Sequence, residues 1–218
     1  MQPYEAVIFD SDGVLVEPTD QGLYSTALRE AFEDHGIADP HEGHLDALRS
    51  VTRDDLDRIC GAYDLDPEAF WRSRDRCASA VQRTAIADGR KPAYDDLDAV
   101  FTINRPCAIV SNNQQRTIET VVETHGLGEV MTSYYGRQPT IEDIQRKKPH
   151  PHYVERALSD VGTRNALFVG DSNADLLAAE RTGIDVAFVE RPHRTNYQLV
   201  SEPDHTVTGL DGVAELVG

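Results

Sequence analysis

Two carboxylates, Asp10 and Asp12, stand one residue apart at the end of a short apolar run, residues 6–9. An apolar run of this kind is typical of a buried strand, and the end of such a strand solvates charge poorly. Two carboxylates about 4 Å apart repel each other by roughly 4 kcal/mol at an effective dielectric constant of about 20. A pair of acids in this position therefore indicates a catalytic task, a bound cation, or both.

Other polar residues follow apolar runs later in the chain. Ser111 and Asn112 follow residues 108–110, and a Gly-Asp-Ser segment follows residues 167–169. The remaining polar candidates are Lys148, Asp171 and Asp175. Taken singly, each has an ordinary explanation as a turn residue, a helix cap or a surface charge. Because the ends of parallel strands lie on one edge of a sheet, we expect these residues to converge at one site.

Four carboxylates gathered at one edge need a compensating charge. Together, Asp10, Asp12, Asp171 and Asp175 would repel by an amount comparable with the stability of a whole domain, roughly 5–15 kcal/mol. A hard divalent cation with oxygen ligands, together with Lys148, would neutralise them. The sequence therefore predicts a cation site, with Mg²⁺ as the favoured ion.

The apolar runs predict a sheet with helices between its strands. Strands are predicted at residues 6–9, 107–110, 166–169 and 186–189, with an edge strand at 205–207. Helical patterns are present at residues 117–125, 152–161 and 174–182, and the last of these ends at Gly183. Strands that alternate with helices predict an α/β fold with a doubly wound, mostly parallel sheet and a Rossmann-like core.

The first crossover is too long for a simple βαβ unit, which needs about 30 residues in all. Most of the chain between the first two predicted strands has helical patterning. We therefore predict that residues 17–90 form an inserted helical cap and that residues 1–16 and 91–218 form the α/β catalytic core. An insert that leaves from the carboxyl end of the first strand lies over the crevice where such sheets bind ligands. The cap is thus placed as a lid.

The charge of the chain restricts its partners and its environment. The 218 residues carry a formal net charge of −17, and only three of them are lysines. A surface this acidic repels nucleic acid and anionic membranes, so neither is expected as a partner. At about 1 M salt the Debye length falls to roughly 3 Å, so this composition indicates a halophilic protein in a salt-loaded cytoplasm. An ordinary acidic cytosolic protein is the alternative.

The three scattered cysteines also fit a reducing, cytoplasmic compartment.

In order and spacing, the polar segments resemble the four motifs of the haloacid dehalogenase-like hydrolases. The segments are residues 10–14, Ser111-Asn112, the Lys-Pro-x-Pro segment that begins at Lys148, and residues 170–175. The match extends across nearly the full chain. The helical insert after the first motif resembles that of the helical-cap branch, which includes phosphoglycolate phosphatases and β-phosphoglucomutases.

The resemblance implies a role for each matched residue. Asp10 would attack phosphorus and form an aspartyl-phosphate, and Asp12 would protonate the leaving oxygen and then activate water. Ser111 and Asn112 would bind the phosphoryl group, while Lys148 would offset the charge on Asp10 and on that group. The implied ligands of Mg²⁺ are the side chains of Asp10 and Asp171 and the backbone carbonyl of Asp12, with Asp175 binding the ion directly or through water.

Asp12 also separates the activities known in this family. The dehalogenases lack this second aspartate, so its presence favours a phosphatase that acts on a small phosphorylated metabolite. Glu17-Pro18 replaces the Asp-Ser or Asp-Thr of helical-cap members, and the mutase histidine has no clear counterpart around Tyr24. Hydrolysis is therefore favoured over a phosphomutase reaction. A phospho-acceptor signalling module is the alternative from another class, but such modules carry the phosphorylated aspartate after a later strand and need no lid.

Residues 50–56 resemble the cap segment of β-phosphoglucomutases in which an arginine reaches the far anionic group of the substrate. This resemblance makes Arg53 a substrate-binding candidate. The same residues also fit a helix start with Thr52 as N-cap and Asp55 at N3, in which Arg53 is exposed at N1. Both interpretations stay open at the level of the sequence.

Overall fold

The computed structural model describes residues 4–218, so the first three residues of the predicted core segment 1–16 lie outside the described residues. Within 4–218, six parallel strands form one sheet in the order β3-β2-β1-β4-β5-β6. The strands are β1 (Ala6–Phe9), β2 (Cys107–Gln114), β3 (Met131–Arg137), β4 (Ala166–Gly170), β5 (Asp185–Val189) and β6 (His205–Val207). The predicted doubly wound parallel sheet is confirmed, and β3 is the strand that the sequence interpretation missed.

β1 lies inside the sheet and is buried along its whole length. Ile8 is in register with Ala108 of β2 on one side and with Phe168 of β4 on the other. From β1 the chain proceeds to β2 and β3 in one direction and later to β4, β5 and β6 in the other. The strand order therefore reverses between β1 and β4. In open α/β sheets the carboxyl ends of the strands at such a reversal form the ligand-binding crevice.

Four helices lie between β1 and β2, where the sequence predicts the insert. They are α1 (Gln21–Glu33), α2 (Glu42–Ala47), α3 (Arg53–Ala62) and α4 (Pro67–Ala87). Their apolar faces pack in one cluster, which also includes Ile144 from a later helix, and in it the rings of Phe32 and Phe70 lie 4.7 Å apart and Trp71 is buried. Asp20, Thr52 and Asp66 begin three of these helices by accepting backbone N–H groups of the first turn. These helices therefore form a packed unit beside the sheet.

The remaining helices follow β2, and four of them pack against the sheet. They are α5 (Gln115–Thr124), α6 (Ile141–Arg146), α7 (His152–Val161), α8 (Asn173–Thr182) and α9 (Leu210–Val217). Phe9 and its neighbours on one face pack in a cluster with residues of α5 and α9, and Ile8 and Phe168 on the other face pack with α7 and α8. Burial on both faces explains why β1 and β4 are continuous apolar runs. In the described part of the chain, no helix is both long enough and apolar enough to cross a membrane.

Two linkers join the helical unit to the sheet, and they run side by side. The backbone N–H of Glu17 donates to the carbonyl of Pro92 at 2.9 Å, and Val16 forms an antiparallel bridge with Ala93. Both linkers pass next to the turn that follows β1. The beginning and the end of the helical unit are therefore fixed beside Asp12.

Candidate active site

The predicted site residues converge on a cavity at the carboxyl ends of β1, β2 and β4. The cavity has a volume of about 300 Å³ and is lined by residues of both the sheet and the helical unit. From the predicted set, its lining includes Asp10, Asp12, Ser111, Asn112, Lys148 and Asp171. Asp175 is fully buried next to this lining. One edge of the sheet thus brings together residues that are up to 165 positions apart in the sequence, from Asp10 to Asp175 (175 minus 10).

Lys148 forms ion pairs with two of the acids. Its Nζ lies 2.8 Å from Asp10 Oδ1 and 2.7 Å from Asp175 Oδ1, and it also donates to the carbonyl of Val110 at 2.8 Å. Burial alone would lower the pKa of Lys148, but the two carboxylates raise it above its ordinary value. The side chain therefore remains an ammonium group between two acids.

Asn112 and Ser111 have different surroundings. The Asn112 side chain donates to the carbonyl of Lys148 at 2.9 Å and accepts the backbone N–H of Lys148 at 2.6 Å. Asn112 therefore fixes the backbone of Lys148. Ser111 lines the cavity, and its hydroxyl accepts the backbone N–H of Asn113 at 3.2 Å.

Three buried acids form a group with the chemistry of a cation site. One carboxylate oxygen from each of Asp10, Asp171 and Asp175 lies within 4.8 Å of the others. Hard divalent cations such as Mg²⁺ prefer oxygen donors of this kind. Asp175 also takes part in the capping box at the start of α8. Its carboxylate accepts hydrogen bonds from the hydroxyl of Ser172 at 2.6 Å and from the backbone N–H of Ser172 at 3.0 Å. Its position is thus fixed by the helix start.

The pKa of Asp10 is raised by burial and by the neighbouring acids. Burial raises the pKa of Asp10 from 3.8 to about 7, and the charges of Asp175 and Asp171 act in the same direction. Lys148 acts in the opposite direction and only partly compensates. A cation among these carboxylates would favour the ionised form of Asp10.

Asp171 has two basic neighbours. His193 Nε2 and Arg194 Nε lie 2.6 Å and 2.8 Å from Asp171 Oδ2. Burial would raise the pKa of Asp171, but the hydrogen bonds from His193 and Arg194 keep it below its ordinary value. Asp171 is therefore ionised next to Asp10. Neither basic residue follows from the sequence motifs.

The backbone at Gly13 passes very close to Asp171. Gly13 has φ +84°, and a Cβ atom at this position would lie 2.2 Å from Asp171 Oδ2. The turn after β1 therefore requires glycine for both its left-handed conformation and its lack of a side chain. The close approach brings the backbone of the Asp12-Gly13 turn next to the carboxylate group.

The carboxylate of Asp12 points toward the linkers and not toward Lys148. It accepts hydrogen bonds from Lys91, Thr19 and Asn113. Sequence reasoning missed all three of these partners. The available signal was Lys91 itself, since it is one of only three lysines in the chain and lies in a predicted linker.

One wall of the cavity is rich in cations. Arg137 forms a two-bonded ion pair with Asp75, at 2.6 Å and 2.7 Å, and Arg74 lies 3.1 Å from the same carboxylate. Both guanidinium groups also lie over the ring of Trp71, 4.7 Å and 5.0 Å from its centroid. Two buried arginines therefore share one carboxylate, which leaves a net positive charge.

Two further cations, Arg49 and Lys147, line the same wall. Lys147 donates to the carbonyl of Val51 at 2.6 Å. Burial, followed by the charges of Arg137 and Arg74, lowers the pKa of Lys147 to about 8. The shift follows first from burial and then from the positive charge of the two neighbouring arginines.

Arg53 is in a different place. Thr52 and Asp55 form a capping box at the start of α3, and Arg53 follows at N1. Its side chain is 41% exposed and pairs with Asp57 at 2.8 Å. The lining of the cavity includes Arg49, Ser50 and Val51 from this part of the chain but not Arg53.

The order of the strands, with an acidic group at the reversal of that order, defines a Rossmann-like α/β enzyme with a helical insert. The family profile described as haloacid dehalogenase-like hydrolase matches residues 7–189. The chain belongs to this family of hydrolases, which confirms the resemblance found in its motifs.

Known proteins with related sequences include a dehalogenase and a phosphatase. The (S)-2-haloacid dehalogenase 2 of Pseudomonas sp. strain CBS-3 is 30% identical over 178 residues, which cover 80% of this chain and 73% of that protein. The 6-phosphogluconate phosphatase of Escherichia coli strain K12 is 27% identical over 225 residues, with 99% and 96% coverage. The crystal structure of CbbY from Rhodobacter sphaeroides in complex with phosphate has a TM-score of 0.72 at 19% identity and covers 96% of each chain.

Proposed function

We propose that the protein is a Mg²⁺-dependent phosphatase that hydrolyses a small phosphate monoester through an aspartyl-phosphate. The observation that carries this proposal is the division between two acids on one turn. Asp10 lies with Lys148 and two further carboxylates, whereas Asp12 lies with a separate set of donors at the same cavity. Two carboxylates with different surroundings are suited to different roles, one as nucleophile and one as general acid and base.

The first half of the proposed reaction transfers the phosphoryl group to Asp10. A carboxylate oxygen of Asp10 attacks phosphorus, and the bond between phosphorus and the leaving oxygen breaks. Asp12 gives its proton to that oxygen, and the alcohol departs. Lys148 stabilises negative charge on Asp10 and on the phosphoryl oxygens, and Ser111 binds one of those oxygens.

The second half hydrolyses the aspartyl-phosphate. Asp12, now a carboxylate, takes a proton from water, and the oxygen of that water attacks phosphorus. The bond between phosphorus and the Asp10 oxygen breaks, so inorganic phosphate leaves and Asp10 is regenerated. Asp12 is protonated again and ready for the next substrate.

Asp10, Asp171 and Asp175 would hold Mg²⁺, with the backbone carbonyl of Asp12 as a further ligand. The donor set fits this ion because all of these atoms are oxygens. Glycine at position 13 lets the backbone of the Asp12-Gly13 turn come close to the Asp171 carboxylate. When bound, Mg²⁺ supplies positive charge next to the phosphoryl oxygens. A screen of phosphate monoesters with Mg²⁺ or with EDTA tests the proposal, and phosphate release that does not require Mg²⁺ and Asp10 contradicts it.

Dehalogenation is the second candidate, because one relative is a dehalogenase. In that reaction the leaving group is a halide ion, which needs no proton from the protein. Asp12 and the donors around it would then have no task. Assay of chloride release from 2-chloropropionate separates the two activities, and assay of sugar phosphate products separates hydrolysis from a phosphomutase reaction.

We further propose that residues 17–90 act as the cap over the core formed by residues 1–16 and 91–218. The packed cluster of α1–α4 and the paired linkers support this division. The cap contributes Arg49, Trp71 and Arg74 to the cavity that the residues at the ends of the strands also line. A substrate bound at Asp10 would therefore extend toward cap residues, which are suited to select it.

The substrate class that fits this wall carries a second anionic group in addition to its phosphate. Four cations line it, namely Arg49, Arg74, Arg137 and Lys147, and Asp75 pairs with two of them. Concentrated positive charge is notable in a protein with a net charge of −17. A carboxylate or a second phosphate on the substrate would compensate it.

Replacing Lys147 by methionine tests this substrate class. We expect kcat/KM for a phosphorylated acid such as 6-phosphogluconate to fall by about tenfold to a hundredfold, the effect of losing one charged hydrogen bond of roughly 1.5–3 kcal/mol. p-Nitrophenyl phosphate, which has no second anionic group, should be affected much less. Because Lys147 loses its proton as the pH rises through about 8, the KM of the wild type for the phosphorylated acid should rise above that pH.

Arg53→Ala is the matched control for this experiment. Arg53 carries the same charge but pairs with Asp57 on the surface. We therefore expect this variant to treat both substrates as the wild type does. A selective loss in Arg53→Ala, with none in Lys147→Met, would assign the second anionic group to Arg53, as its motif suggests.

The net charge of −17 leads to a salt prediction. We expect the melting temperature and the activity to increase from dilute buffer to molar KCl, because screening reduces self-repulsion and lets an anionic substrate approach. Thermal melts and initial rates across that range check it. A melting temperature that stays constant or falls would rule out adaptation to a salt-loaded cytoplasm.

A further inference from the structure

The side chain of Asp12 is held by three polar side chains, two from the linkers and one from β2. Lys91 Nζ lies 2.5 Å from Asp12 Oδ2, Thr19 Oγ1 lies 3.2 Å from the same oxygen, and Asn113 Nδ2 lies 3.3 Å and 3.2 Å from the two oxygens. Thr19 belongs to the linker that enters the helical unit, and Lys91 belongs to the linker that leaves it. Both linkers therefore contact Asp12.

Gln82 of α4 contacts the same three donors. Its Oε1 accepts from Thr19 at 2.6 Å, from Asn113 at 2.7 Å and from Lys91 at 3.0 Å. Gln82 is fully buried, and Lys91 is only 1% exposed. The side-chain oxygen of Gln82 thus fixes all three of the side chains that hold Asp12. The arrangement connects the last helix of the helical unit to the carboxylate through a single layer of side chains.

Lysine is an unexpected residue for this position. An ammonium group is strongly hydrated, so its burial is costly unless it is paired and hydrogen-bonded. The hydrogen bonds of Lys91 go to Asp12, Thr19 and Gln82, and Asp12 lines the cavity. A linker does not need a buried ammonium group in order to pack. Its contacts therefore suggest a task connected with Asp12.

We propose that Lys91, together with Gln82, is a positioning residue that fixes the orientation of the Asp12 carboxylate for proton transfer. The inference rests on the proposed function, in which Asp12 is the general acid and base. Proton transfer requires the carboxylate to lie within hydrogen-bond reach of the leaving oxygen and later of water. Without Lys91 and Gln82, Asp12 can rotate away from that position, although it remains present and exposed to the cavity.

The test is Lys91→Met, which keeps the length of the side chain and removes its charge. With an alkyl phosphate, whose leaving group needs a proton, we expect kcat to fall by about tenfold to a hundredfold, part of the 10²–10⁴-fold that general acid–base catalysis supplies. With p-nitrophenyl phosphate, whose leaving group departs as the anion, the first turnover measured by rapid mixing should keep the wild-type rate. The steady-state rate should fall, because hydrolysis of the aspartyl-phosphate still needs Asp12.

Gln82→Met is the second variant, and it keeps the ion pair between Lys91 and Asp12. We expect the same difference between first turnover and steady state, with a smaller magnitude. Its effect should not add fully to that of Lys91→Met, because both act through one set of contacts. Arg90→Met is the matched control, since Arg90 is the neighbouring cation in the linker and pairs with Asp88 at the surface. It should behave as the wild type.

Asp12→Asn separates failure of this inference from failure of the proposed function. If Asp12→Asn slows the first turnover of p-nitrophenyl phosphate as much as its steady state, the acid–base role of Asp12 is wrong. If Asp12→Asn shows the expected difference but Lys91→Met and Gln82→Met slow both phases equally, or neither, the positioning role is overturned. Circular dichroism and thermal melts of each variant identify any loss that comes from unfolding.

Discussion

Replacing Asp10 by asparagine is expected to lower turnover by about 10⁴-fold or more, because the amide cannot act as the nucleophile. The variant should also fold, and in EDTA above neutral pH it should melt at a higher temperature than the wild type. In the folded protein the pKa of Asp10 is raised from 3.8 to about 7. The proton on Asp10 therefore stabilises the fold at low pH, and this contribution is lost as the pH rises to about 7.

The experiment compares melting temperatures of the wild type and Asp10→Asn from pH 5 to pH 8 in EDTA. The advantage of the variant should increase with pH, because only the wild type must ionise a carboxyl among other acids. Asp39→Asn, at an exposed position, is the control and should show no such trend. Turnover by Asp10→Asn near the wild-type rate would contradict the mechanism, and an advantage that decreases with pH would contradict the charge argument.

The sheet and the edge that carries the site could be predicted because they depend on local patterns. The runs that form β1 and β4 are apolar throughout, and polar residues follow at once. Parallel pairing then determines that Asp10 and Asp171 meet. β3 was missed because Thr132 and Ser133 interrupt its apolar pattern, and its interior residues are only partly buried or exposed. That omission also hid Arg137, which lies at the end of β3 and lines the cavity.

The partners of Asp12 could not be predicted, because they depend on distant parts of the chain. Lys91 is 79 positions from Asp12, and Asn113 is 101 positions away. A rare lysine indicates that a position is special but not which acid it pairs with. Two arginines of the helical unit, Arg49 and Arg53, show the same limit. Arg53 fits a motif, yet the capping box of α3 directs it to the surface, whereas Arg49 lies before that helix and lines the cavity.

Replacing Lys148 by methionine is expected to have the opposite effect on stability from replacing Asp10. Lys148 is 3% exposed and lies between Asp10 and Asp175. Removing one partner of a buried ion pair typically costs about 3–5 kcal/mol, because the remaining charge is left uncompensated. Urea unfolding in EDTA measures this loss. Mg²⁺ should restore part of it, since the cation would bind the same carboxylates, and the gain from Mg²⁺ should therefore be larger in Lys148→Met than in the wild type.

Lys147→Met is the control for stability, because this neighbouring lysine donates to the carbonyl of Val51 and makes no ion pair with Asp10 or Asp175. Lys148→Arg should not have the phosphatase activity of the wild type, although it keeps the positive charge. A guanidinium group is wider than an ammonium group, and the site is closed around the ammonium group. The double variant Asp10→Asn with Lys148→Met gives the decisive comparison. If the carboxylates and Lys148 balance each other, removing both an acid and the lysine should cost less than the lysine alone. Equal losses in the single and the double variant would show that Lys148 stabilises the fold by packing, and that the charge balance among these residues has no part in it.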